Sequence, residues 1–174
     1  MKRPLNILLA FALLALGAQA ALAAAAPIAV GKVAPDFRYH LLSGKVIGPA
    51  QLRGQKYILW VMGTWCPSCK AGSQIAAQHI GDLQRGHVAL VEMEAYDNLG
   101  GSGPTLESVK DGIGKATEAP NWYWGVLTQE QTATIDPKSL MDVYYLVNKD
   151  GMVVAQGMAP GAHWDQVESF VNGK

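Results

Sequence analysis

The run "QKYILWVMGTWCPSCKAG" (55–72) constrains the fold of this chain more than any other stretch. Residues 55–62 are apolar and β-rich, and Gly63 ends them, which predicts a buried strand. Pro67 then sits where a helix can begin at no hydrogen-bonding cost, and the helical pattern runs to about Leu83, with Gly81 close to its end. A buried strand passing this abruptly into a helix puts Cys66 at the N-cap. Cys69 follows one turn in, on the same side. These are the only two cysteines of the 174 residues.

The rest of the chain alternates around that junction. "HVALVEMEA" reads as a second buried strand and "GGSGP" (100–104) as a loop. "TLESVKDGIGKATE" reads as a glycine-weakened helix, "NWYWGVLT" as a short strand and "TQEQTATI" as a short helix. "DVYYLVNKDGMVVAQGM" is two strands about a turn at "NKDG". "GAHWDQVESFVN" closes the chain as an amphipathic helix with Trp164, Val167, Phe170 and Val171 on one face. This order predicts an α/β domain, a mixed sheet covered by helices, with an antiparallel edge from the final hairpin.

The N-terminus reads as an export signal. Lys2 and Arg3 precede an apolar core from about Leu5 to Leu16, and small residues follow. Residues 1–23 are assigned to this signal peptide, with A-x-A sites after Ala20 and Ala23; an uncleaved membrane anchor is the alternative. No cysteine follows the apolar core, so a lipid anchor there is not expected. The expected location is periplasmic or secreted, an oxidising setting in which disulfides persist. Without Lys2 and Arg3 the net charge is −2 and no basic run remains, which argues against nucleic acid as a partner.

Three chemistries compete for an isolated CxxC pair. At a helix N-terminus, unpaired N–H groups and the positive end of the helix dipole stabilise a thiolate, so Cys66 would be the exposed nucleophile and Cys69 the resolving thiol. Lys70 adds a nearby positive charge. A zinc site wants four ligands, and His79 lies about 15 Å along the helix from Cys69 at ~1.5 Å per residue. His163 or a methionine could approach only through the fold. A structural staple would close a very small loop, worth only about 2 kcal/mol on the loop-entropy account. With the redox dithiol reading no cofactor and no bound metal are expected.

The segment "VAPDFRYHLLSGKVIGPAQLRGQKYILWVMGTWCPSCK" resembles the opening of exported thioredoxin-like proteins of the TlpA/ResA type, which share A-P-D-F, a glycine turn, a buried strand and W-C-x-x-C. "YYLVNKDGMVVAQGMAPG" resembles that family's later hairpin. The resemblance covers residues 30–174. It implies a thioredoxin-like fold with an N-terminal extension, and thiol–disulfide exchange on exported proteins, more as a reductant than as an oxidant. It also implies protein thiol or disulfide substrates and a membrane thiol electron donor. Cys66 matches the family's attacking cysteine and Cys69 its resolving one. The alternative is a copper-binding metallochaperone similar to the Sco group, which shares the fold. That group carries C-x-x-x-C and a late histidine, where this chain has C-x-x-C and Leu140.

The chain departs from the TlpA/ResA pattern at three positions. Asp142 stands where the resemblance places an active-site cis-proline, with Pro137 five residues too early. Gly72 stands for a frequent glutamate, and Gln74 for a helix-kinking proline. The Met141–Asp142 peptide is therefore expected to be trans, since a non-proline cis bond costs about 3–4 kcal/mol. Asp142, Glu92 and Glu94 are candidate proton-relay carboxylates, with a solvated role as the alternative for each. Trp65, Pro67, Ser68 and Lys70 are candidate site-lining residues. Trp122, Tyr123 and Trp124 read as strand packing, with a partner-docking surface as the alternative. His40, His79, His87 and His163 show no ligand spacing and read as structural or surface residues.

Overall fold

The computed structural model describes residues 27–173; the expected signal peptide at 1–23 lies outside them. Seven strands form one sheet, in the order β2-β1-β5-β4-β3-β6-β7. Its centre is the junction read from the sequence: β3 (Lys56–Met62), α2 (Pro67–Arg85) and β4 (Val88–Glu94), the two strands pairing in parallel from Lys56↔Val88 to Met62↔Glu94. β5 (Trp122–Val126) extends the parallel part beside β4. β6 (Val143–Val147) and β7 (Val153–Met158) add the predicted antiparallel edge beside β3.

A second antiparallel edge was not expected. β1 (Tyr39–Leu41) and β2 (Val46–Ile47) form a small hairpin, and β1 pairs with β5. A single turn, α1 (Pro49–Leu52), follows it.

Alternation along the central strands divides the core into two layers. Ile58, Trp60, Met62, Val88 and Leu90 face the layer under α2, α3 (Leu106–Ile113) and α5 (Trp164–Val171). Leu59, Val61, Ala89, Val91 and Met93 face the opposite side, which Ile28, Leu52 and α4 (Gln129–Ile135) cover. One expectation changes, and the reading of the tryptophans as strand packing holds. The helix read over 105–118 stops at Ile113, because Gly114 turns to φ 97° and a 3-10 turn, Lys115–Glu118, takes over. Trp122 and Trp124 are buried and stacked at 5.2 Å, so they pack the core and offer no docking face. Among the described residues no helix is long and apolar enough to cross a membrane.

Candidate active site

The strand-to-helix junction delivers both cysteines as the sequence predicts. Cys66 is the N-cap of α2, in extended backbone geometry, and Pro67 is the first helical residue. Cys66 and Cys69 form a disulfide with their Cα atoms 5.3 Å apart. Cys66 Sγ accepts a hydrogen bond from the Cys69 backbone N–H at 3.2 Å and lies 3.3 Å from the Ser68 hydroxyl. A thiolate at that position would inherit the same amide donor together with the helix dipole. The two cysteines differ in exposure: Cys66 retains 7% of its surface and Cys69 none. Pro67, Ser68 and Lys70 are exposed around them.

Asp142 arrives beside the sulfurs from the other side. One of its carboxylate oxygens lies within 4.8 Å of both Sγ atoms. No peptide bond among the described residues is cis, so Met141–Asp142 is trans as expected. The turn is instead made by Met141 and Asp142 both at φ 59°, a region that aspartate tolerates and methionine rarely enters. The buried Asp136 holds this turn, accepting from Leu140 N–H at 2.9 Å and Met141 N–H at 3.0 Å.

Asp142 is only 4% exposed. Trp60 Nε1 donates to its Oδ1 at 2.9 Å, while Oδ2 is buried with no hydrogen-bond partner. Burial raises the pKa of the carboxyl; the nearby Ser68 hydroxyl and the Trp60 bond partly offset that rise. Trp60 reaches this point because α2 carries no side chain at Gly72. A Cβ there would stand 2.8 Å from the indole. The missing glutamate and the missing proline of the resemblance thus belong to one local arrangement, Gly72 over Trp60 over Asp142.

Glu92 lies in the same layer, fully buried. Trp122 Nε1 donates to its Oε2 at 2.9 Å, and Ser73 Oγ is 2.6 Å from its Oε1 and 3.0 Å from the Cys69 carbonyl oxygen. The serine hydroxyl has one proton for two acceptors. A protonated Glu92 completes the chain: its O–H donates to Ser73 Oγ, and Ser73 donates to the Cys69 carbonyl. The electrostatics agree. Burial pushes the Glu92 pKa up to about 8 against the bonds from Ser73 and Trp122, and the Asp142 charge adds to the rise. Glu94 is different. It is half-buried at the strand end, its pKa raised by burial and then by the Glu107 charge, and it does not join the cluster of Cys66, Cys69 and Asp142.

The rim is built by a left-handed turn in which Asp97, Asn98 and Leu99 all have φ near 50°. The Asn98 side chain accepts from Thr64 N–H at 2.9 Å and donates to Thr64 Oγ1 at 2.6 Å, while its carbonyl accepts from Trp65 Nε1 at 2.8 Å. Trp65 therefore lies fixed but 43% exposed next to Cys66. It walls a cleft of about 320 Å³ that Thr64, Lys70 and the 102–104 segment also line.

Of the residues singled out from the sequence, Cys66, Cys69, Asp142, Ser68 and Trp65 converge, with Glu92 one hydroxyl away. The sequence reading missed Trp60, Ser73, Asn98 and Asp136. A tryptophan inside an apolar strand and a serine inside a helix carry no mark of these partnerships.

The chain matches no protein-family model and no curated protein sequence. Solved structures do match it. A thioredoxin-like protein from Aeropyrum pernix superposes with a TM-score of 0.63 at 17% identity, covering 80% of this chain and 89% of that one. The thioredoxin domain of a thiol-disulfide oxidoreductase from Bacteroides vulgatus gives 0.61 at 17% identity, covering 83% and 99%. A secreted Mycobacterium tuberculosis disulfide oxidoreductase homologous to E. coli DsbE gives 0.57 at 16% identity, covering 80% and 96%. At these identities the likeness establishes the fold, which is thioredoxin-like, as the resemblance implied.

Proposed function

We propose that this thioredoxin-fold chain is an extracytoplasmic thiol–disulfide oxidoreductase that acts on cysteines of exported proteins, more as a reductant than as an oxidant. One observation carries the reading: the disulfide caps α2, with Cys66 Sγ taking the Cys69 N–H and Cys69 fully enclosed behind it. In the reducing direction the Cys66 thiolate attacks a partner disulfide. One partner sulfur leaves as a thiolate and a Cys66–partner bond forms. Deprotonated Cys69 then attacks Cys66 Sγ, closes the disulfide and releases the second partner sulfur. Two electrons pass to the partner, and the protons given up by the dithiol end on its two thiols. A membrane thiol donor would restore the dithiol. Similarity to solved structures described as secreted or thiol-disulfide enzymes supports this reading, as does the signal-like N-terminus.

Glu92 and Ser73 form a hydrogen-bonded chain that ends at the Cys69 carbonyl oxygen, and a carboxylate oxygen of Asp142 lies beside the sulfurs, so Asp142 is the better-placed proton carrier. The copper-carrier alternative is weaker, since the cysteine cluster holds no histidine among the described residues.

The test is exchange with single-cysteine variants. Cys66→Ser should abolish insulin reduction, and Cys69→Ser should accumulate mixed disulfides. Retained activity in both variants overturns the mechanism. The reduction potential sets the direction: a value near about −270 mV marks a reductant and one near about −120 mV an oxidant.

A further inference from the structure

Asp142 Oδ2 is buried with no hydrogen-bond partner among the described residues, and one oxygen of that carboxylate lies within 4.8 Å of both sulfurs. Oδ1 is held by Trp60, and the Ser68 hydroxyl, which lies close to the carboxylate, is also 3.3 Å from Cys66 Sγ. An unpartnered buried acceptor is costly, so this oxygen is poised to take a proton, a water or a cation. The turn at Met141–Asp142, clamped by Asp136, fixes the carboxylate in that position.

We infer that the reduced form binds one divalent zinc-class cation through Cys66 Sγ, Cys69 Sγ and Asp142 Oδ2, and that this ion caps the dithiol and stops exchange. The inference rests on the proposed function in one respect, that the pair can exist as a dithiol. An external thiol or phosphine supplies two electrons to the S–S bond and is itself oxidised, and two protons complete the two thiols. The cation then displaces those protons to solvent as two sulfur–metal bonds form. Tetrahedral zinc with bonds of about 2.3 Å to sulfur and 2.0–2.2 Å to oxygen needs its ligand atoms about 3.5–3.8 Å apart. A carboxylate oxygen of Asp142 and the two sulfurs lie within 4.8 Å of one another, each on a buried residue, and the sulfurs can separate once the S–S bond is reduced.

Two thiolates and a carboxylate carry three negative charges in a buried space, which a divalent ion largely neutralises. A carboxylate among the donors favours a borderline ion such as Zn²⁺ over Cu⁺, which prefers sulfur alone. The Cys69 N–H continues to donate to the metal-bound Cys66 sulfur. The fourth position is left for water or for a partner's own thiolate.

The experiment titrates ZnCl₂ into the full chain, reduced with a phosphine and freed of it under argon, by calorimetry. The expected result is one ion per reduced chain and none per disulfide form. Asp142→Asn should weaken binding at least about tenfold. One equivalent of Zn²⁺ should silence insulin reduction, and a chelator should restore it. Equal affinity of wild type and Asp142→Asn overturns the site, and so does full insulin reduction in saturating zinc. Failure of insulin reduction without metal sinks the oxidoreductase reading and leaves the zinc titration to judge the site separately. Should Asp142→Asn not fold, anomalous scattering from zinc-loaded wild-type crystals decides the matter. A peak bonded to both sulfurs and to Asp142 supports the site; a peak on sulfur alone, or shared by two chains, overturns it.

Discussion

Trp60 and Asp142 are joined by a buried hydrogen bond, indole Nε1 to Oδ1 at 2.9 Å, that ties the central strand to the residue facing the disulfide. Trp60→Phe keeps an aromatic ring and deletes the donor, leaving both carboxylate oxygens unsatisfied. Urea denaturation of the disulfide form at pH 7 should show a loss of roughly 1–3 kcal/mol. The same change should move the Asp142 carboxyl titration upward in carbon-detected NMR, because the lost bond favoured the charged form. An unmoved titration would mean that the bond does not form in solution.

Asp142 also acts on the thiols by charge. A carboxylate beside a sulfur disfavours the thiolate and opposes the helix dipole. Asp142→Asn should therefore lower the Cys66 pKa, read by pH-dependent alkylation of the reduced protein with a chelator present. No change, or a rise, would place the charge of Asp142 away from the reacting sulfur.

Glu92 makes stability depend on pH in an unusual direction. Its pKa is about 8 folded, against 4.5 for the free side chain, so the folded state holds a proton that the unfolded chain has released. The contribution is fully present below about pH 4.5 and declines as pH rises, until it is gone above about pH 8. Over that window the loss is on the order of a few kcal/mol. Glu92→Gln mimics the protonated acid, with an NH₂ for Ser73 and an oxygen for Trp122. It should flatten the decline and be more stable than wild type at pH 8. Asp142 and Glu94 slope the same way in both proteins, so the difference between wild type and variant reports Glu92 together with its coupling to Asp142. Parallel stability–pH curves for the two proteins would exclude a buried proton on Glu92.

The legibility of this molecule in its sequence follows element length and partner distance. β3, α2 and β4 were readable because long apolar runs and a proline state their own ends. β1 and β2 have three and two residues, too few to show alternation, and they exist only because β5 offers an edge. Asp142 could be placed by counting back along the chain from the turn at Asp150 and Gly151, even though the β6–β7 register shifts between Leu146 and Val147. The hydrogen bonds of Trp60, Ser73 and Asp136 depend on which residues of distant segments meet, and nothing local encodes that. Glu92 showed its strand face by alternation, but its depth depends on α2 and Trp122 covering it.

Gly72 gives the sharpest test of the packing around Asp142, because two known effects compete there. Alanine improves the intrinsic helix propensity of an interior glycine position by about 0.8–1 kcal/mol. The new methyl, however, would sit 2.8 Å from a ring carbon of Trp60, which is 1% exposed and has no room to retreat. Overpacking of this kind costs about 1–3 kcal/mol, so Gly72→Ala should destabilise the wild-type background on balance. The atom in contact belongs to the six-membered ring of the indole, beyond the reach of a phenyl group. In a Trp60→Phe background the obstruction is gone and the propensity gain remains, so the same alanine should stabilise. A double-mutant cycle in urea reads this reversal of sign directly. Stabilisation by alanine in both backgrounds would show that α2 and β3 are not held as close as the structure has them, and that the Trp60 ring is free to move away from Asp142.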